Sequence, residues 1–216
     1  METILEITLR SIAISGTATL LSALWGTPIG ILLGLKKFRG RFAMKGLFNA
    51  LLGLPTVTLG LLLYLLLSKA GPLGFLHLLY TPLAISIGQS ILITPIMVSF
   101  VTNSIESIES EVKDLAKTLG ASETQASLAV LGEAKRGFLL AVTASFSRAI
   151  AELGIALMLG RNLVGKTRVL TTFIALTTDT GDFVPAIALG VILLMIVSAV
   201  SLTVNFLQRR DSWGRV

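Results

Sequence analysis

Two ionisable side chains, Arg148 and Glu152, stand inside an otherwise uncharged apolar stretch, Phe138–Gly160. A spacing of four puts both on one face of a helix, with Ser145 on roughly the same side. Each charge costs about 2.5–3.5 kcal/mol at the centre of a bilayer on insertion scales, so such residues face a protein interior or a water-filled path. Two roles follow. The residues form an ion pair, within the helix or to another helix, that pins the segment. Alternatively they form a pathway or gate element, in which Arg148 offers positive potential to a passing anion and Glu152 moderates it so that the ion is released.

A second chemistry is suggested by Gly160-Arg-Asn-Leu-Val-Gly165-Lys166-Thr167, which matches the phosphate-binding pattern G-x-x-x-x-G-K-[ST] in full. That loop works between a strand and a helix of an α/β domain. Here about 22 residues separate two apolar stretches, so the match is read as coincidence and no ATPase activity is expected of this chain alone. Other reaction chemistries lack their residues. There is no Cys, and the single His, His77, has no Cys or acidic neighbour nearby, so neither a thiol nucleophile nor a metal centre is expected. No Ser-His pair or acidic dyad supports an intramembrane enzyme.

The elements that must position these residues are dictated by composition. Of 216 residues, 53% are apolar and only 14% charged, with a mean hydropathy of +0.85. A water-soluble globule of this size cannot hide that much apolar surface, so the excess faces lipid. Five segments are long enough for a hydrocarbon core of about 30 Å: Ser11–Leu35, Gly46–Ser68, Leu83–Asn103, Phe138–Gly160 and Phe183–Leu207. They do not alternate as barrel strands would. The first is not a cleaved signal peptide, being too long and preceded by Glu2 and Glu6. The fold class is therefore all-α membrane protein.

The net charge of +6 reports orientation. Twelve cations lie in the first connection (Lys36, Lys37, Arg39, Arg41, Lys45), the third (Lys113, Lys117, Lys135, Arg136) and the tail (Arg209, Arg210, Arg215), whereas five lie on the other side (Arg10, Lys69, Arg161, Lys166, Arg168). The bias puts the N-terminus outside and the C-terminus in the cytoplasm. Nucleic acid is not an expected partner, since Trp25, Tyr64, Tyr80 and Trp213 are too scattered for base stacking; Trp25, Tyr80 and Trp213 are expected to anchor at membrane interfaces. Gly26, Gly30 and Gly34 form a GxxxGxxxG row that brings two helices close, either within the chain or between subunits. Pro55 and Pro95 imply kinks or carbonyls freed and covered by neighbours. The loop Lys69–Pro82 is rich in turn residues and is a candidate to dip back into the membrane.

The longest cytoplasmic connection, Ser104–Gly137, carries its own pattern. Val112, Leu115, Ala116 and Leu119 form an apolar stripe on a short helix, with Lys113, Asp114 and Lys117 off it. Gly120 stops that helix and Ser122-x-x-Gln125 reads as a capping box opening the next. The result is a helix–turn–helix elbow, either a solvated connector or a docking element for a soluble partner.

Here the chain resembles a known family. Asp114-Leu115-Ala116-x-x-x-Gly120 resembles the EAA-x-x-x-G loop of permease subunits of bacterial ATP-binding-cassette importers, with Asp for Glu, Leu for one Ala, and Gly132-Glu133 where a Leu-Pro is usual. The stretches 52–97 and 147–176 resemble oxyanion permeases; AELG, GRN and GKT are similar to molybdate permeases, and TRVLTTFIAL with TGDF at 180–183 looks like the tungstate branch. The resemblance implies a five-span type I permease bundle forming one domain over 1–210, with a short cytoplasmic tail at 211–216. It implies a multi-pass protein of the inner membrane that imports tungstate by alternating access, with molybdate or another oxyanion as the alternative substrate. The implied partners are a second copy of the chain, a cytoplasmic ATPase dimer that holds ATP and magnesium, an extracytoplasmic oxyanion-binding protein and membrane lipid, with no cofactor on this chain. The implied ATPase-coupling residues are Asp114, Leu115, Ala116, Leu119, Gly120, Ala121 and Ser122. The external-loop residues Arg161, Asn162, Lys166 and Arg168 are then candidates for contact with the binding protein. A rival of a different class is a secondary transporter or channel working alone, which would need a coupling-ion site that one charged pair does not supply.

Overall fold

The computed structural model describes residues 2–213, without the side chains of 109, 110, 207 and 209–213. Arg209, Arg210, Trp213, Arg215 and the end of the expected tail therefore lie outside the described side chains. Eight α-helices and no strand occur among the described residues: α1 (Ile4–Leu35), α2 (Arg41–Leu51), α3 (Thr56–Leu67), α4 (Pro82–Thr118), α5 (Glu123–Glu133), α6 (Lys135–Ile150), α7 (Leu170–Asp179) and α8 (Phe183–Trp213). A 3₁₀ turn (Gly74–Leu76) and a π-helical turn (Ala156–Gly160) complete the set. Contacts divide the chain into two compact units, Met1–Leu21, Leu54–Ile93, Phe146–Leu202 and Ser22–Gly53, Thr94–Ser145, Thr203–Val216, so α1, α4, α6 and α8 each contribute to both.

Three of the five expected spans lie in helices long and apolar enough to cross a membrane: α1, α4 and α8. The other two are broken. Segment 46–68 is not one helix: α2 and α3 are apolar enough to pass together, but they are bent at a break before Pro55, which is extended (φ −65°, ψ 118°). Segment 138–160 is interrupted too, because α6 ends at Ile150 and a π-helical turn begins only at Ala156. Pro28 and Pro95, by contrast, sit inside the unbroken α1 and α4. At the other end, α8 runs past Leu207 to Trp213.

In the unit containing the second half of α1, the glycine row finds its partner within the chain. A Cβ built on Gly26, Gly30 or Gly34 would lie 3.1, 2.8 and 2.8 Å from Met97, Val101 and Ile105 of α4. Both series ascend together, so the helices run parallel in close contact, and Thr102 Oγ1 donates to Gly30 O at 3.2 Å. Met97, Val101 and Ile105 also belong to the apolar core that receives Val130 from α5, Ala134 from the α5–α6 junction and Ala141 from α6. Trp25 donates its indole N–H to Thr94 Oγ1 at 2.7 Å, which fixes the ring on α4. Helix α2 turns its polar side inward: Arg41 and Lys45 both meet Glu106 (2.5 and 2.6 Å), and Asn49 accepts from Ser99 (3.0 Å). Its outer side is apolar, with Phe42 90% exposed, as expected of a surface that meets lipid rather than water.

In the other unit, Ile85, Leu92, Ile155 and Leu159 share a core with Ile14 and Leu59, and Ile7, Leu170 and Leu189 form a second. Ser86 donates to Ile14 O at 3.0 Å, satisfying a hydroxyl that is buried between α1 and α4. The loop after α3 folds back on that helix, Leu73 N–H reaching Leu66 O at 2.9 Å.

Candidate coupling elbow and intramembrane ion pair

The elbow forms as its local sequence dictates. Gly120 takes a left-handed conformation (φ +85°) that a side chain would strain. Ala121 N–H bonds Ala116 O and Gly120 N–H bonds Lys117 O, both at 3.0 Å, a Schellman ending for α4. Ser122 then accepts from Gln125 N–H (3.3 Å) while Gln125 Oε1 accepts from Ser122 N–H (2.8 Å), closing the expected capping box. Glu123 is gripped by Lys113 at 2.5 Å and Lys117 at 2.7 Å across the turn. On the inner side the α5–α6 junction is locked to α4, with Ser104 Oγ donating to Ala134 O at 3.3 Å.

What the elbow presents outward is apolar. Leu115 and Leu119 are 63% and 80% exposed, and Asp114, Gly120 and Ser122 are exposed beside them, while Ala116 and Ala121 are half-buried. Val112 is the stripe residue that packs inward. Leu115 and Leu119 thus make an apolar tip flanked by charged side chains.

The two lysines, chiefly by hydrogen-bonding the carboxylate, hold the Glu123 carboxyl at about 2. A depressed carboxyl stabilises the fold above its ordinary pKa and loses that contribution as pH falls through the folded value. The bridge is therefore complete at neutral pH and is lost as pH drops from the ordinary glutamate range toward about 2. Glu123→Gln is expected to lower amide protection at Ser122–Ala126 a few-fold at neutral pH and to abolish its further fall on acidification, as read by hydrogen-exchange mass spectrometry relative to intrinsic exchange rates.

Arg148 and Glu152 do meet, Arg148 Nη1 donating to Glu152 Oε2 at 2.6 Å. Their surroundings differ: the Arg148 side chain is 38% exposed and that of Glu152 3%. Glu152 also organises the interruption after α6. Its Oε1 accepts from Ile155 N–H at 3.3 Å and its carbonyl accepts from Thr171 Oγ1 at 2.9 Å. The pair thus sits at a break that it helps to satisfy, in keeping with the rule that non-helical backbone at membrane depth needs internal partners. Ser145 and Ser147 hydroxyls on α6 are buried without a hydrogen-bond partner among the described residues.

The loop 160–168 is closed on itself. Thr167 Oγ1 donates to Gly160 O (2.5 Å) and accepts from Leu163 N–H (3.0 Å), and Leu163 O receives the N–H groups of Lys166, Thr167 and Arg168. The hydroxyl and amides that a phosphate-binding loop would turn to nucleotide and magnesium are engaged in its own turns. Of the four loop residues expected to meet a partner, Arg161 and Lys166 remain on the surface, Arg161 standing over the Tyr80 ring at 5.6 Å. Arg168 and Asn162 are turned inward. Arg168 donates to Asn162 (3.3 Å) and covers Phe173 (4.7 Å), while Asn162 accepts from Thr172 (3.0 Å). Glu2 bonds Arg10, whose guanidinium reaches Arg168 O at 3.0 Å. Sequence spacing offered no signal for Glu106, Thr171 or Glu2 as anchors, since each meets partners far away along the chain or beyond one helical turn.

The family described as "Binding-protein-dependent transport system inner membrane component" matches residues 26–211. A tungstate uptake system permease protein of Peptoclostridium acidaminophilum is 38% identical over 92% of this chain and 87% of its own length. Its counterpart in Campylobacter jejuni is 34% identical over 80% of this chain and 72% of that protein. The MetNI methionine ABC transporter in an inward-facing crystal form shares the fold, with a TM-score of 0.75 at 15% identity over 96% of this chain and 95% of that one. With its long apolar helices, its type I importer fold and a family match over most of its length, this integral membrane protein belongs to the inner-membrane permease components of binding-protein-dependent ATP-binding-cassette transport systems.

Proposed function

We propose that this chain is the membrane-spanning subunit of an ATP-driven tungstate importer of the inner membrane, working by alternating access. Similarity to two tungstate uptake permeases supports the substrate; a molybdenum permease of Haemophilus influenzae stands at 29% identity, which makes molybdate the competing cargo to measure. Two copies form the pore as one permease domain each, with five passages, N-termini outside and C-termini in the cytoplasm, as the basic residues favour. A cytoplasmic ATPase pair supplies hydrolysis, with ATP and magnesium bound there and no cofactor on this chain. An extracytoplasmic binding protein delivers the anion to the surface that carries Arg161 and Lys166.

The observation that carries this reading is the rigid elbow with its exposed Leu115 and Leu119. ATPase closure pushes that tip, and the α5–α6 junction, bonded to Ser104, passes the push into α6. Helix α6 ends at the Arg148–Glu152 break, the pathway or gate element, where a partly exposed guanidinium already neutralised by a carboxylate attracts a dianion without trapping it.

The test is Leu115→Asp with Leu119→Asp. Affinity for the ATPase is expected to fall at least about tenfold, as loss of a central apolar anchor does, and tungstate uptake in proteoliposomes falls with it while chain abundance stays normal. Uptake that remains fully coupled to hydrolysis in this variant overturns the assignment. Competition by molybdate and sulfate in the same assay decides the cargo.

A further inference from the structure

A crevice of about 220 Å³ opens between α1, α4 and the α5–α6 junction, lined by Thr27, Ile31, Val101, Ile105, Leu131, Ala134, Lys135 and Phe138. Its walls are apolar but for one hydroxyl and one ammonium, and no acidic residue lines it. Thr27 and Ile31, and likewise Val101 and Ile105, are one helical turn apart, so the crevice follows both helices for about 6 Å. Lys135, exposed at the start of α6, supplies its single charge.

We propose that this crevice seats an acyl chain of an anionic phospholipid, with the Lys135 ammonium on the lipid phosphate. Three features select this occupant. An acyl chain asks for no hydrogen bonds, whereas an inserted peptide segment would bring backbone N–H and C=O groups into a crevice that offers them two partners. An oxyanion would lose its hydration against apolar walls without compensation. A zwitterionic lipid leaves Lys135 unneutralised, whereas an anionic headgroup complements it, as basic pockets between membrane helices do. The site is separate from the elbow tip and from the ion pair, and it does not depend on which oxyanion is carried.

The experiment is native mass spectrometry of the full chain purified in mild detergent from vesicles of equal phosphatidylglycerol and phosphatidylcholine. Wild type is expected to retain phosphatidylglycerol in preference to phosphatidylcholine. Retention is expected to fall about fivefold in Lys135→Gln, the worth of one basic residue beside an anionic headgroup. It should be unchanged in Lys69→Gln, an exposed cation elsewhere. Leu131→Trp, which fills the crevice, is expected to expel the lipid. Because the chain has no Cys, Ile31→Cys introduces a sole thiol, expected to give no disulfide between copies. Equal retention of both lipids, retention unaffected by Lys135→Gln, or efficient cross-linking through Ile31→Cys, which would make a second copy the occupant, overturns the proposal.

Discussion

Arg148→Gln is expected to destabilise the protein by about 3 kcal/mol, while Glu152→Gln costs about 1 kcal/mol. The asymmetry follows from burial. Glu152 is 3% exposed, so loss of the guanidinium leaves a carboxylate in the interior with Ile155 N–H as its remaining side-chain contact. Breaking a buried pair in this way is among the more costly single changes, about 3–5 kcal/mol, and the partial exposure of Arg148 puts this case at the low end. In Glu152→Gln the amide oxygen can still accept from Ile155 N–H, and the 38% exposed Arg148 can turn to the water-filled path that the gate reading requires. The double variant is expected to recover much of the loss, because it buries no unpaired charge. Denaturant unfolding of the purified chain measures all three, and equal losses in the two single variants would show that the pair does not hold the break. Uptake per folded molecule then separates roles: full transport in both variants removes the gate reading and leaves a structural pin.

The second large effect lies on the α1–α4 seam. Gly30→Ala is expected to cost about 2 kcal/mol and Gly30→Leu to leave little folded chain, since overpacking a well-packed contact costs about 1–3 kcal/mol and occasionally more. The new Cβ would stand 2.8 Å from Val101 Cβ and 3.1 Å from Val98 O, so one of the two helices must move. Separation also stretches the 3.2 Å bond from Thr102 to Gly30 O. Val101→Ala in the Gly30→Ala background is expected to restore part of the stability by making room. Gly190→Ala in α8, where a Cβ meets nothing within 4 Å, is expected to be neutral or stabilising by up to about 1 kcal/mol, since Ala is the better helix former. If Gly30→Ala unfolds no earlier than Gly190→Ala, close α1–α4 packing is not what holds this seam.

These results depend on different depths of information. The elbow was legible residue by residue: the left-handed Gly120, the Ser122–Gln125 box and the apolar stripe are interactions within five residues of one another, so local chemistry determines them. The long apolar helices were legible for the same reason that composition was, since lipid imposes a length and a polarity on every crossing. The prolines show where such reading stops. Pro55 stands at a break and Pro95 inside an unbroken 37-residue helix, although both lie in apolar segments. Whether freed backbone groups are covered depends on what packs beside them.

The interruption after Ile150 contains no proline at all. Glu152 meets Arg148 within one turn, which its spacing announced, but its carbonyl is met by Thr171, nineteen residues on. Likewise the basic loop looked uniformly outward until Asn162 and Thr172 took up Arg168 and its neighbours.

By itself, then, the order of residues determined that this chain lives in lipid, where its elbow turns, and that its glycine row must touch something closely. The fold alone decided that the row touches α4 of the same chain, that two apolar segments are broken, and which member of the charged pair is buried. The reason is range: turns and caps are closed by neighbours in sequence, whereas burial and the partners of a broken helix are supplied by residues that only folding brings near.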